Sequence, residues 1–582
     1  MIKFRTVLLA AALTSCTASF AGMPDADARF RAVYTEEWKW RLEQFPGLEG
    51  QAKPVPDRLP KEDPETQAMR LRYWQDVLRK LDDILRAQLS PPEQINYDVY
   101  RPEIERFVAN EQFRDFEMPA NSDSAFWTDL GYTARRPYKS VIDYKNWIAQ
   151  LRDVPRYFRE QIANMKAGLA RDFTPPRATL QGREKSIATI AEGQPEDNLL
   201  YSPFREAMVG VEPSEQEKLK AEAAKVIAEF VQPAYADLLK FFRDEYVPHT
   251  RTTIAAEALP DGKAYYQQKI REFTTLDLSP EEIHQIGLAE VEKLHAQMVD
   301  VMRETGFKRD FPAFLEFLRE DPQFYAKTSQ ELLNRAAWIA KVFDGKSSQY
   351  FGYLPRMRFT IKPVPDDLAP FYTSGRGGPG VYLLNTYDLP HRPLYNLPAL
   401  TLHESAPGHA FQGPIALEHK DQPEFRQHDY ISAYGEGWAL YCEKLGVEMS
   451  MYETPYERFG MLGYQIWRAA RLVVDTGVHA KGWSRDQALK YMHDYTALPE
   501  HEIETEVDRY IAWPGQALSY YLGELAIVRG REKAEKALGP KFNIRAFHDA
   551  VLELGSVPLP VLTARIDRFI AEDGKGPYPN LE

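Results

Sequence analysis

Four long stretches of the chain carry apolar residues at spacings of three and four: Val141 to Leu169, Glu215 to Val247, Pro280 to Glu304 and Gln330 to Val342. Only a 3.6-residue turn brings such positions onto one face, so these stretches read as amphipathic helices. Alternating patterns are scarce, and the fold class is therefore mainly α. Ser279-Pro280-Glu281-Glu282 and Ser214-Glu215-Gln216-Glu217 place a serine three residues before a glutamate, the spacing of a capping box. Pro175-Pro176 and Pro248 are expected to separate helices. The best strand candidates are Arg358 to Ile361 and Val381 to Leu384. They flank Gly375-Arg376-Gly377-Gly378-Pro379-Gly380, which lacks the Gly-Lys-Ser/Thr ending of a phosphate loop and reads as a loop leading to a short edge strand.

A length of 582 residues with 44% hydrophobic content supplies a large core, in one big domain or two lobes. The lobes are expected at 22–250, helical, and 251–582, carrying the chemistry. A net charge of −13 and the lack of a basic stripe argue against nucleic acid as a partner. Lys3 and Arg5, the apolar run Val7 to Leu13, and Ser19-Phe20-Ala21 before Gly22 have the three-part order of an export signal covering residues 1–21. Leu13-Thr14-Ser15-Cys16 also fits a lipobox, with Cys16 as a lipidated first residue. The expected location is periplasmic or secreted, or lipid-anchored through Cys16, with any membrane tether at the N-terminus. Cys442 is the one other cysteine, so removal or lipidation of Cys16 leaves no intramolecular disulfide. Set beside Trp438, Leu440 and Tyr441, Cys442 reads as a buried thiol.

The segment with the most chemistry is His403-Glu404-Ser405-Ala406-Pro407-Gly408-His409. It begins like the zinc motif His-Glu-x-x-His, in which two histidines one turn apart face a metal and the glutamate activates water. Here the second histidine comes six residues after the first, about 240° around a regular helix. Pro407 and Gly408 offer a remedy, because they favour a local break that returns His409 to the side of His403. Glu436 and Glu443, seven residues apart among Trp438, Leu440 and Tyr441, share a helical face. Buried carboxylates need a partner or a metal. Glu436 is thus the expected third ligand, and Glu443 the carboxylate steadying a ligand histidine.

Together with Arg509-Tyr510 and Pro514-Gly515-Gln516-Ala517, these segments resemble the bacterial family DUF885. That family is in turn distantly similar to mostly helical zinc peptidases: thimet oligopeptidase, the carboxypeptidase Taq family and angiotensin-converting enzyme. The resemblance implies a two-lobed helical fold around a deep groove, Zn2+ as cofactor, and short peptides as substrates. It implies metal ligation by His403, His409 and Glu436, and Glu404 as general base. It also implies that His501 and Tyr510 stabilise the transition state, with Arg509 beside them and Tyr520 as the alternative to Tyr510. Val381 to Asn385 is expected to offer an edge strand, with Tyr382 and Asn385 touching the substrate. Two rival readings are a zinc amidase or esterase acting on non-peptide substrates, and a periplasmic lipoprotein that binds peptides without cleaving them. The sequence leaves the oligomeric state open.

Overall fold

The structure, a computed structural model, describes residues 25–50, 53–122, 124–208, 210–366 and 368–581. The expected export signal and Cys16 lie outside these residues. Helices dominate, as the apolar spacings require. Before the sheet they include α1 (Ala26–Gln44), α2 (Pro64–Asp82), α3 (Pro91–Phe113), α4 (Val141–Ala170), α5 (Pro280–Glu304) and α6 (Ser329–Tyr350). After a small sheet come α7 (Leu397–Glu404), α8 (His409–Glu418), α9 (Ser432–Glu448), α10 (Pro455–Ala480), α11 (Glu500–Ala512) and α12 (Ser519–Leu538).

The capping box of α5 forms with both of its bonds, between Ser279 and Glu282. The one expected at Ser214 does not. That helix begins at Pro213 with Glu212 as its unbonded cap, because proline's fixed φ and missing N–H suit the first helical position. Ser214 is left inside the first turn. The helix then runs to His249, passing through π-helical turns at Ile227–Val231 and Phe242–Tyr246.

The sheet comprises β1 (Thr360–Pro363), β2 (Gly375–Gly378) and β3 (Val381–Leu384), in the order β1-β3-β2. β3 pairs parallel with β1 and antiparallel with β2. The edge strand beside the site is therefore the glycine segment β2, and β3, expected at the edge, is central. β2 lies against α7 and α8. A Cβ on Gly377 would stand 1.6 Å from the Glu404 carbonyl oxygen. Only a residue without a side chain lets the strand rest on the end of that helix.

Two hydrophobic cores form. The smaller takes in Phe126, Trp147, Phe158, Tyr235 and Phe242. The larger joins Phe30, Trp74 and Tyr100 to Leu402, Trp438, Ile466 and Phe569. The apolar faces of α1–α3 belong to this larger core, which also holds the site. The long pairs α5 with α10 and α9 with α12 make up its centre. Among the described residues no helix is long and apolar enough to cross a membrane.

Candidate metal centre

α7 stops at Glu404. Ser405 leaves the helix at φ −96°, ψ −115°, the Ala406–Pro407 peptide is cis, and α8 starts at His409. Across the break, the Gly408 N–H donates to the Leu402 carbonyl at 3.0 Å and the Ala410 N–H to that of Ser405 at 2.9 Å. These bonds span six and five residues instead of four. The inserted residues are thereby absorbed, and the His403 and His409 rings meet with centroids 5.0 Å apart at 84°. Gly408 is needed for its lack of a side chain, because a Cβ there would lie 1.8 Å from the His403 carbonyl oxygen.

α9 supplies the third group. Glu436 Oε2 is 3.5 Å from His403 Nε2 and 3.4 Å from His409 Nε2. Ligand atoms of the three residues all lie within 4.8 Å of one another, the grouping that a single metal ion needs. Neighbouring ligand atoms around a tetrahedral zinc ion stand about 3.3 Å apart, given bonds of roughly 2.0–2.1 Å. His403 Nδ1 bonds Glu443 Oε1 at 2.7 Å. That contact puts a ring proton on Nδ1 and turns Nε2 toward Glu436. Donor types and spacing suit a divalent metal ion.

Electrostatics agree with the geometry. Burial pushes His403 toward the neutral form, but hydrogen bonds from its ring to Glu436 and Glu443 and the nearby charge of Glu404 outweigh it and hold its pKa up to about 9. Glu436 is buried too, yet the two imidazoles hold it well below the usual carboxylate range. Trp438 Nε1 donates to the Pro407 carbonyl at 2.8 Å, fastening α9 to the break between the two histidines.

Glu404 lies within electrostatic range of His403, and its Oε2 accepts the Gly377 N–H of β2 at 2.6 Å. Tyr430, 57% exposed, turns its hydroxyl inward to donate to Glu436 Oε1 at 3.2 Å. Tyr430 and the Gly377 amide escaped the sequence reading. One signal was present: Glu436 is flanked by glycines. A Cβ on Gly435 would meet the Tyr430 hydroxyl at 2.4 Å, and one on Gly437 the Gly523 carbonyl carbon of α12 at 2.4 Å.

The remaining expected residues fall in other places. Tyr510 is buried, and its hydroxyl accepts from Trp467 Nε1 and Arg471 Nε, each at 2.9 Å. Arg509 bonds Gln516 and Glu506. The half-buried Tyr520 lies under Arg471, 4.4 Å from its guanidinium carbon, and close enough to Tyr430 for their hydroxyls to interact electrostatically. His501 is exposed, and among the described residues no hydrogen bond or ion pair ties its ring to the cluster. Tyr382 and Asn385, expected to touch substrate, are fully buried. β3 is central and turns Tyr382 into the core, while the Asn385 amide donates to the carbonyls of Ala369, Tyr372 and Thr373 and so holds the loop before β2.

A mainly helical protein with a two-histidine, one-glutamate cluster across an interrupted helix is the class that fold and site define. The chain belongs to the family described as bacterial protein of unknown function, DUF885, whose model matches residues 45–566. It is similar to a solved structure from Colwellia psychrerythraea described as a "putative lipoprotein", with 26% identity and a TM-score of 0.88 over 94% of this chain and 100% of that one. A Shewanella oneidensis structure, described as a "putative lipoprotein of unknown function", matches at 16% identity and a TM-score of 0.67 over 93% and 99%. This second likeness is one of fold alone. Among curated proteins none matches.

Proposed function

We propose that the protein is a zinc-dependent hydrolase of peptide bonds in short peptides. One observation carries the reading: both imidazole Nε2 atoms converge on a single Glu436 oxygen, with the Glu404 carboxylate held beside them. A structural ion pair has no use for that fourth group, whereas hydrolysis needs a base next to the metal. His403, His409 and Glu436 would hold the ion, which when bound supplies Lewis-acid chemistry toward water and a carbonyl.

The chain's own residues do the rest. The Gly377 N–H fixes one Glu404 oxygen, and the other takes a proton from the attacking water and passes it to the leaving amine. The Tyr430 hydroxyl engages Glu436 Oε1 and so assigns Oε2 to the histidines. For the developing oxyanion, Tyr520 beside Tyr430 is better placed than the engaged Tyr510 or the exposed His501. The outer edge of β2 is the place where an extended peptide backbone can add to the sheet. The Colwellia neighbour, described as a "putative lipoprotein", favours a location outside the cytoplasm, with attachment through Cys16.

Metal analysis of protein purified without chelator should find about one zinc per chain, and a peptide-library digest should show chelator-sensitive cleavage. Glu404→Gln should keep the zinc and lose at least about 100-fold in rate, the scale of a removed general base. Absence of zinc from the wild type would sink the reading. Cleavage of amides or esters but not peptides moves the substrate class, and zinc without any turnover makes the protein a binder.

A further inference from the structure

Arg468 of α10 is 5% exposed. Its guanidinium carbon lies 4.0 Å from the Trp467 ring centre and 4.6 Å from that of Tyr464. Among the described residues no hydrogen bond or ion pair reaches it. Nε and Nη1 are buried without a partner, which leaves Nη2 as the nitrogen with access to open space. Such isolation is costly for a buried cation, and this protein avoids it elsewhere: the equally buried Arg41 is forked between Glu37 and Glu103.

The neighbours do not supply the missing charge. Arg471 lies 4.5 Å over the same Trp467 ring, bonds Glu506 and Tyr510, and keeps Nη1 without a partner. Glu506 is shared with Arg509. Glu502 is within electrostatic range of Arg468, yet the two form no ion pair. With Arg392, which is also within electrostatic range of Glu502, four arginines thus face two carboxylates, and Arg468 is the one without a hydrogen bond or ion pair among the described residues.

Two chains of contacts lead from Arg468 toward the candidate metal centre. Tyr464, whose ring Arg468 covers, lines a cavity of about 330 Å³ whose wall includes Leu397 and Leu400 of α7, the helix that ends in His403 and Glu404. On its other side Arg471 stacks on Tyr520, next to Tyr430.

We propose that Arg468, assisted by Arg471, receives a carboxylate of the substrate. The planar fork of a guanidinium matches a carboxylate, and an anion seated there completes a site that the protein leaves unpaired. This rests on the hydrolase reading and deepens it: the substrates are peptides anchored by a carboxylate, either the free C-terminus or an acidic side chain.

The test uses zinc-loaded Glu404→Gln protein titrated with one fluorescent pentapeptide in three forms: free acid, C-terminal amide, and amide with an internal aspartate. The free acid should bind at least about tenfold more tightly than the plain amide, the scale of a charge-assisted hydrogen bond. Adding Arg468→Gln should erase the gap, and Arg468→Lys should keep part of it. A gain for the aspartate-bearing amide alone, lost with Arg468→Gln, also supports the site and assigns the carboxylate to a side chain. Equal binding of all three forms overturns the proposal even if the variants misfold, and so does a gap that Arg468→Gln leaves intact. Discrimination without turnover by the wild type keeps the subsite and refutes the hydrolase; turnover without discrimination does the reverse.

Discussion

Glu443 is fully buried, and one of its oxygens has a partner in His403 while the other has none. A carboxylate kept in that condition is there for its effect on the imidazole. It fixes the tautomer, strengthens the Nε2 lone pair and adds negative charge behind the ligand. Glu443→Gln keeps the shape and removes the charge. It should weaken zinc binding by about 10–100-fold, read by competition with a chelator of known affinity. Affinity equal to wild type would mean that the bond only fills space.

At the scale of elements, α9 does two jobs at once. One side carries Glu436, Glu443 and Trp438 toward the broken motif, and another presses against α12, where Gly437 and Gly523 let the backbones nearly touch. Gly437→Ala should cost about 1–3 kcal/mol, the usual penalty of overpacking, and lower the denaturant midpoint. A midpoint at or above that of the wild type would show that the helices slide apart at no cost. This packing explains what the sequence could tell. Apolar spacing marked α4 and α5, and the pairing of His403 with His409 and Glu436 was readable because ligand chemistry restricts residue types strongly. The edge-strand role of β2 was hidden: glycine favours no strand, and its presence there answers the end of α7, a contact no local pattern encodes. Tyr430 was hidden likewise, since its part depends on a hydroxyl folding back over Gly435.

For the whole molecule, stability at low pH depends on two buried histidines distant in sequence from each other. His479 accepts the Ala256 N–H and bonds the Tyr510 carbonyl. His548 bonds the Tyr350 carbonyl and the Tyr441 hydroxyl. Burial lowers both to about 3, against about 6.5 in an unfolded chain. The unfolded state therefore binds more protons between those values, so this stability is present above pH 6.5 and is lost as pH falls toward 3. Each histidine should contribute a slope of about 1.4 kcal/mol per pH unit. Denaturant melts from pH 6 to 4 should become less steep by that amount in His548→Gln, and an unchanged slope would show that His548 is charged in the folded protein.

The membership of α1–α3 in the larger core has a consequence for the order of assembly. Trp38 donates to Glu424 at 3.1 Å, across 386 residues, and the Tyr34 and Tyr100 rings lie 5.3 and 4.9 Å from Phe425. α1–α3 therefore have no finished surface to dock on until Glu424 and Phe425 have been made. Closing such distant contacts is slow, and until then Phe30, Trp74 and Tyr100 stay open to aggregation or to a chaperone. The smaller core, whose buried residues run from Val55 to Tyr246, can close first, while α1–α3 wait for the second half of the chain.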